Sequence, residues 1–246
     1  SNALVTVASV KDTRSNVTDI AFLVGVDMSN AVATIDDAVS LSEAEGLDKL
    51  TEGKITLSAV KDTYANVQEV KKIDDARVDM GAANVQVTSQ TNITEINDLR
   101  GDTAGNITID DVSESKANLE TINGYGDVSL ASADISVTDV VTKDQADDIH
   151  GYNTAAGTTV TLTAVSDSFN NIDSLQGTDG VVMTGATITA TSAQAVTKAN
   201  VTKLDGFTDA LVTVASVNDT KSNVTDIAGL PGVDMSNAVA TIDDAV

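Results

Sequence analysis

The chain has 246 residues, 41% of them hydrophobic and only 2% aromatic, with no Trp and no Cys. Its 14 basic and 37 acidic residues leave a formal net charge of −23, which repels nucleic-acid phosphates and anionic lipid headgroups and argues against both as partners. Without cysteine there is no disulfide framework and no thiolate metal site, and no apolar run approaches the ~20 residues of a membrane span.

The chain opens on Ser1-Asn2, which reads as a cloning remnant on an excised fragment. In VTVASVKDTRSNVTDI, Val5 and Val7 flank Thr6 with the period-two alternation of a strand. Asp12-Thr13 and Asn16 follow, then apolar residues spaced as on a short helix. VDMSNAVATI reads as a second strand starting at Ala31, and SLSEAEGLDKL as a helix carrying Leu41, Ala44, Leu47 and Leu50. The first half-unit returns as ITLSAVKDTYANVQEV, ITIDDVSESKANLETI, VTLTAVSDSFNNIDSL and VTVASVNDTKSNVTDI. The second returns as VDMGAANVQV, VSLASADISV, VVMTGATITA and VDMSNAVATI. Thr63, Ser115, Ser168 and Thr220 stand where a hydroxyl can cap the helix that follows. TSAQAVTKANVTKLDG reads as a further helix ending at Gly206.

We call these half-units A and B. The matching valines of A, Val10, Val60, Val112, Val165 and Val217, are 50, 52, 53 and 52 residues apart. Residues 3–39 return at 210–246 with four differences, an offset of 207. The chain therefore reads as one array over 1–246, with repeats at 3–53, 54–105, 106–157, 158–209 and 210–246. Each repeat holds two coils of about 26 residues, a strand plus a helix, too small to bury their own apolar faces. The expected fold is an α/β strand–helix solenoid, leucine-rich-repeat-like, stacked along one parallel sheet with an outer helical layer in which the A helices are the shorter.

Several columns recur. Asn16, Asn66, Asn118, Asn171 and Asn223 occupy one position of A and are read as a structural ladder satisfying backbone groups where strand turns into helix. Met28, Met80, Leu130, Met183 and Met235 share one column of B and are read as core. Thr6, Thr56, Thr108, Thr161 and Thr213 point outward from the A strands, with Val32, Asn84, Asp134, Thr187 and Val239 taken as the interrupting B residues. Acidic pairs at Asp36-Asp37, Asp74-Asp75, Asp110-Asp111, Asp147-Asp148 and Asp243-Asp244 offer oxygen donors of the kind calcium takes, but at differing phases of the repeat. His150, the lone histidine, has no recognisable catalytic partner. No catalytic or cofactor-binding residue is identified, and calcium is the one candidate cofactor.

The pattern in VKDTYANVQEV, VSDSFNNIDSL and VNDTKSNVTDI resembles the Asp-Thr-Ala-Ala-Asn-Leu type repeats of very large bacterial exoproteins. The likeness covers all five A half-units, with Glu114-Ser115 replacing Asp-Thr in the third. It implies an extracellular or cell-surface location, in proteins that often carry RTX-type calcium modules. The expectation is a non-enzymatic structural or adhesive segment whose partners are its own neighbouring repeats. A calcium-binding exoprotein segment and a solenoid recognising a surface glycan or protein are the alternatives. Uncapped ends predict end-to-end self-association.

Overall fold

The computed structural model describes residues 4–73 and 77–244. The protein is α/β, and the chain divides into two compact units, residues 1–112 with 122–130 and residues 113–121 with 131–246. In the first, the strands Ser9–Asp12, Val32–Val39, Ile55–Asp62, Asn84–Thr91 and Ile107–Glu114 lie side by side in chain order, all parallel. In the second, Asp134–Val141, Val160–Asp167, Thr187–Ala190 and Val212–Val214 do the same. Ser216–Asp219 then pairs with Val239–Ile242.

Between consecutive long strands runs a short helix: α1 (Arg14–Ala21), α2 (Leu41–Asp48), α3 (Tyr64–Val70), α4 (Ile93–Asp102), α5 (Lys116–Asn123), α6 (Lys143–His150), α7 (Phe169–Gln176), α8 (Lys198–Asp205) and α9 (Lys221–Ala228). From α2 to α8 each buries a narrow stripe of residues three apart, such as Val67 and Val70, Ile96 and Leu99, or Ile172 and Leu175, whereas α1 buries only Val17 and α9 only Ile227. Helices of A and B run to about two turns alike, contrary to the expectation that those of A are shorter. The segment before α8 departs from expectation as well. Residues 191–196 are not helical; Val196 instead forms a bridge to Val217, and the helix starts at Lys198 behind Thr197.

The A strands are continuous in the middle copies, but each B strand is preceded by a separate two-residue strand that the sequence pattern did not reveal. These are Val26–Asp27, Val78–Asp79, Val128–Ser129, Val181–Val182 and Val233–Asp234. Each pairs with the beginning of the neighbouring A strand, as in Ile55↔Val78, while the long B strand takes its later half, as in Ala59↔Asn84. Between them the chain makes a tight turn that buries Met28, Met80, Leu130 and Met183, and buries Ala31, Ala83, Ala133 and Ala186 completely. Met235, in the last copy, is only half-buried. Gly25, Gly180 and Gly232 stand immediately before the two-residue strands at φ 82–85°, a left-handed conformation that a side chain would strain.

Register also sets the surroundings of the outward threonines. Thr56 stands opposite Thr34 on one side and Asp79 on the other, and Thr108 opposite Gln86 and Ser129. The threonine column is thus interrupted by the two-residue strands on one side and by later B positions such as Gln86 on the other, and not by Val32, Asn84 and their equivalents.

Burial at equivalent positions yields a paired prediction. Ile35 is 0% exposed, and its repeat counterpart Ile242 is 48% exposed. Ile35→Ala leaves a cavity and is expected to cost about 2–5 kcal/mol. The same change at Ile242 is expected to cost less than about 0.5 kcal/mol. Urea unfolding of the two variants against the parent measures both; equal losses would contradict the stacking described here.

Candidate functional site

Every α-helix begins with backbone N–H groups that have no partner within the helix. Here the hydroxyl of the A-type cap takes one of them: Thr63 Oγ1 accepts the Asn66 N–H at 3.3 Å, and Ser115, Ser168 and Thr220 do the same for Asn118, Asn171 and Asn223. The B helices use capping boxes, as where Ser40 N–H donates to Glu43 and Asn92 N–H to Glu95. In seven of these helices the first amide is bonded by a side chain from the next coil. Leu41, Lys143 and Lys198 N–H donate to Asp62, Asp167 and Asp219 at 2.9–3.0 Å. Arg14, Lys116 and Lys221 N–H donate to Asp37, Asp139 and Asp244, and Tyr64 N–H to Ser89 Oγ.

The two sets of acceptors reach the helix ends by different local devices. In A it is the acid that ends the strand. In B, the strand carries an irregularity between Ile35 and Ala38, Val87 and Gln90, and Val137 and Val140. There two B residues oppose one A residue, and Asp37, Ser89 and Asp139 are the second of each bulged pair.

The recurring asparagine column therefore plays a role one step removed from the ladder expected. Asn16, Asn66, Asn171 and Asn223 are half-buried or exposed, and each donates its amide within its own coil to the Asp four residues earlier, at 2.7–2.8 Å. Asn118 makes the equivalent bond to Glu114 at 2.7 Å. The asparagine orients the acid, and the acid spans the coils.

These bonds favour the ionised carboxylate. Burial pushes Asp62 and Asp167 up, but the bonds from Leu41 and Lys143 N–H, from Asn66 and Asn171, and from Thr63 and Ser168 N–H outweigh it and hold both below the usual carboxylate range. Asn223, with the Lys198 and Thr220 amides, lowers Asp219, and Asn16 with the Thr13 amide lowers Asp12.

A second row, absent from the sequence reading, lies under the turns of B. Thr51, Thr103 and Thr208 are buried, and their hydroxyls donate to the carbonyls of Ala31, Ala83 and Ala186 at 2.6–2.7 Å. Each hydroxyl also accepts an N–H two residues on, from Gly53, Gly105 and Ala210. The third copy has Asn153 instead, in a longer connection, residues 151–159, between α6 and the strand Val160–Asp167. Asn153 is 5% exposed, and its Nδ2 donates to the carbonyls of Thr159 at 3.1 Å and Ala133 at 3.4 Å. The Ala155 N–H, which corresponds to the donor of the sibling loops, goes to the Ala131 carbonyl. Asn153 Oδ1 is left buried without a hydrogen-bond partner.

This loop forms one wall of a recess of about 740 Å³, which Asn153, His150, Thr154, Thr158, Asp179 and Val181 help to line. A Cβ at Gly180 would lie 3.2 Å from His150 Nε2, so the left-handed glycine leaves the imidazole room at the rim.

The acidic pairs are spent on local structure. Asp37 and Asp244 bond helix amides, Asp36 pairs with Lys11, Gln86 donates to Asp110, and Lys143 pairs with Asp147. The pair Asp74-Asp75 lies outside the described residues. Among the described residues no three His, Asp or Glu side chains gather as metal ligands would, and no helix is long and apolar enough to cross a membrane. No protein-family model, curated protein or solved structure matches the chain.

The carboxylate rungs predict a pH dependence. An unfolded chain protonates its carboxyls near the ordinary value of about 4, whereas these acids stay ionised to lower pH when folded. Their stabilisation is complete above that value and is lost as pH falls through the folded pKa. Asp62→Ala is expected to cost about 1–2 kcal/mol at pH 7, with the gap to the parent narrowing below about pH 4. Urea midpoints from pH 7 to pH 3 test this, and a pH-independent gap would contradict it.

Proposed function

We propose that the chain is a non-catalytic structural or adhesive repeat segment of a large bacterial surface or secreted protein, a leucine-rich-repeat-like solenoid. One observation carries this reading. The near-identical stretches at 3–39 and 210–246 have the same side chains in opposite states. Val5 is 57% exposed and its counterpart Val212 is 0% exposed, because Ile188 and its neighbours pair beside the latter. Conversely, Ala33 and Ile35 are buried beside Ile55 and Leu57, while Ala240 and Ile242 are exposed.

An uncovered A face and an uncovered B face are thus the two halves of a contact that the chain makes repeatedly within itself. Such a face accepts the next coil of the same polypeptide or the end coil of another copy. In the second case the register follows from the internal one, with Ala240 opposite Val5 and Ile242 opposite Val7. The contact is heterologous, so it extends beyond a pair of copies, into a ring or a filament according to the rotation between them. A surface of net charge −23 opposes non-specific clumping.

Multi-angle light scattering across a concentration series is the test. The parent chain is expected to gain mass with concentration, beyond a dimer and more steeply as salt screens its charge. Val5→Lys with Ile242→Lys is expected to remain monomeric. A parent chain that stays monomeric at millimolar concentration overturns the stacking basis of this reading.

A further inference from the structure

We propose that the recess beside Asn153 is a binding site for a neutral saccharide, taking one pyranose unit of a glycan with a sugar hydroxyl donating to Asn153 Oδ1. The inference goes beyond the scaffold reading and does not depend on it, because it rests on one loop and not on the stacking of ends.

The starting point is a local exception. In the loops holding Thr51, Thr103 and Thr208, a single hydroxyl both gives and receives a hydrogen bond, so nothing buried is left over. At Asn153 the donor side is used twice over while the acceptor, Oδ1, has nothing to receive. A buried acceptor without a donor costs about 1–3 kcal/mol, a cost the sibling loops avoid with threonine. Rotating the amide by half a turn does not cure the fault, since Oδ1 would then face the carbonyl oxygens of Ala133 and Thr159. The missing partner is a donor from outside the chain, which reaches the sealed Oδ1 from the recess as the 151–159 loop yields to it.

The lining narrows the class of that donor. It contains no lysine or arginine, and Asp179 stands at its edge, so phosphates, uronates and sialic acids are repelled. The ionisable groups are too few and too dispersed to make a cation site. The volume, about 740 Å³, greatly exceeds that of one water, about 30 Å³, and falls within the range of small-ligand sites. Asn153, Asp179, His150 and the threonine hydroxyls provide polar contacts, whereas Ala155 and Val181 provide an apolar patch. A sugar ring, with hydroxyl donors around its edge and C–H groups on its face, matches that mixture. Lengthening of the loop opens the recess, and the left-handed Gly157 (φ 88°) and Gly180 (φ 82°) on its wall keep side chains out of it.

Nuclear magnetic resonance titration of the ¹⁵N-labelled full chain tests the proposal. The probes are methyl α-glucopyranoside, methyl β-galactopyranoside, methyl α-mannopyranoside and N-acetylglucosamine, with calcium chloride as a separate arm. At least one saccharide is expected to shift the Asn153 side-chain amide and the Gly180 N–H saturably, in the millimolar range. Asn153→Thr, the residue of the sibling loops, is expected to weaken that binding about tenfold while leaving the melting temperature level or higher. If that variant fails to fold, Asp179→Ala, at an exposed position, is expected to weaken binding severalfold. The proposal is overturned if none of the four saccharides shifts these signals, if calcium alone does so, or if the folded variant binds as tightly as the parent.

Discussion

The opening amide of each helix has no partner in its own turn, and in seven helices this chain meets that need from the following coil. A coil of strand and two-turn helix is too small to be stable by its own burial or by helix propensity. What makes it a unit is that its helix start is finished by a carboxylate or hydroxyl one coil further on, as in Leu41 to Asp62 and Arg14 to Asp37. The acid also lies at the positive end of the helix dipole, where a negative charge is favoured. Hydrophobic contact supplies most of the stabilisation. The amide–carboxylate bond fixes the register in which that contact is made, because a shift of one residue would place the carboxyl beyond reach.

Several features follow from that bond. Asparagine is needed in A because it holds the acid in place from one side, as Asn66 does for Asp62, leaving the second carboxyl oxygen for the neighbour. The B strand needs an extra residue, since a regular strand would not present Asp37 or Asp139 at the helix start. The strong acidity of the chain is accordingly partly structural. Many of its carboxylates are committed to backbone amides or lysines.

The buried threonines under the B turns show how the same logic fails locally with consequence. A two-residue strand followed by a tight turn leaves the carbonyls of Ala31, Ala83 and Ala186 inside, and a single hydroxyl satisfies each. At Asn153 the substitution is geometrically tolerated but chemically incomplete. A repeat protein makes such an exception visible because its sibling coils act as internal controls.

The sequence by itself determined the coil of about 26 residues, the alternation of A and B, the cap residues and the apolar columns, including Met28, Met80, Leu130 and Met183. These are legible because they reflect local backbone geometry, and because five copies of one pattern separate signal from accident. Tertiary structure alone decided which acid meets which amide, the two-residue strands, the bulge that aims Asp37, the true neighbours of the threonine column, and the recess at Asn153. Each joins residues about twenty or more apart in the chain through strand register or loop closure. A period read along the sequence states how often a residue returns, but not what it faces when the coils are laid side by side.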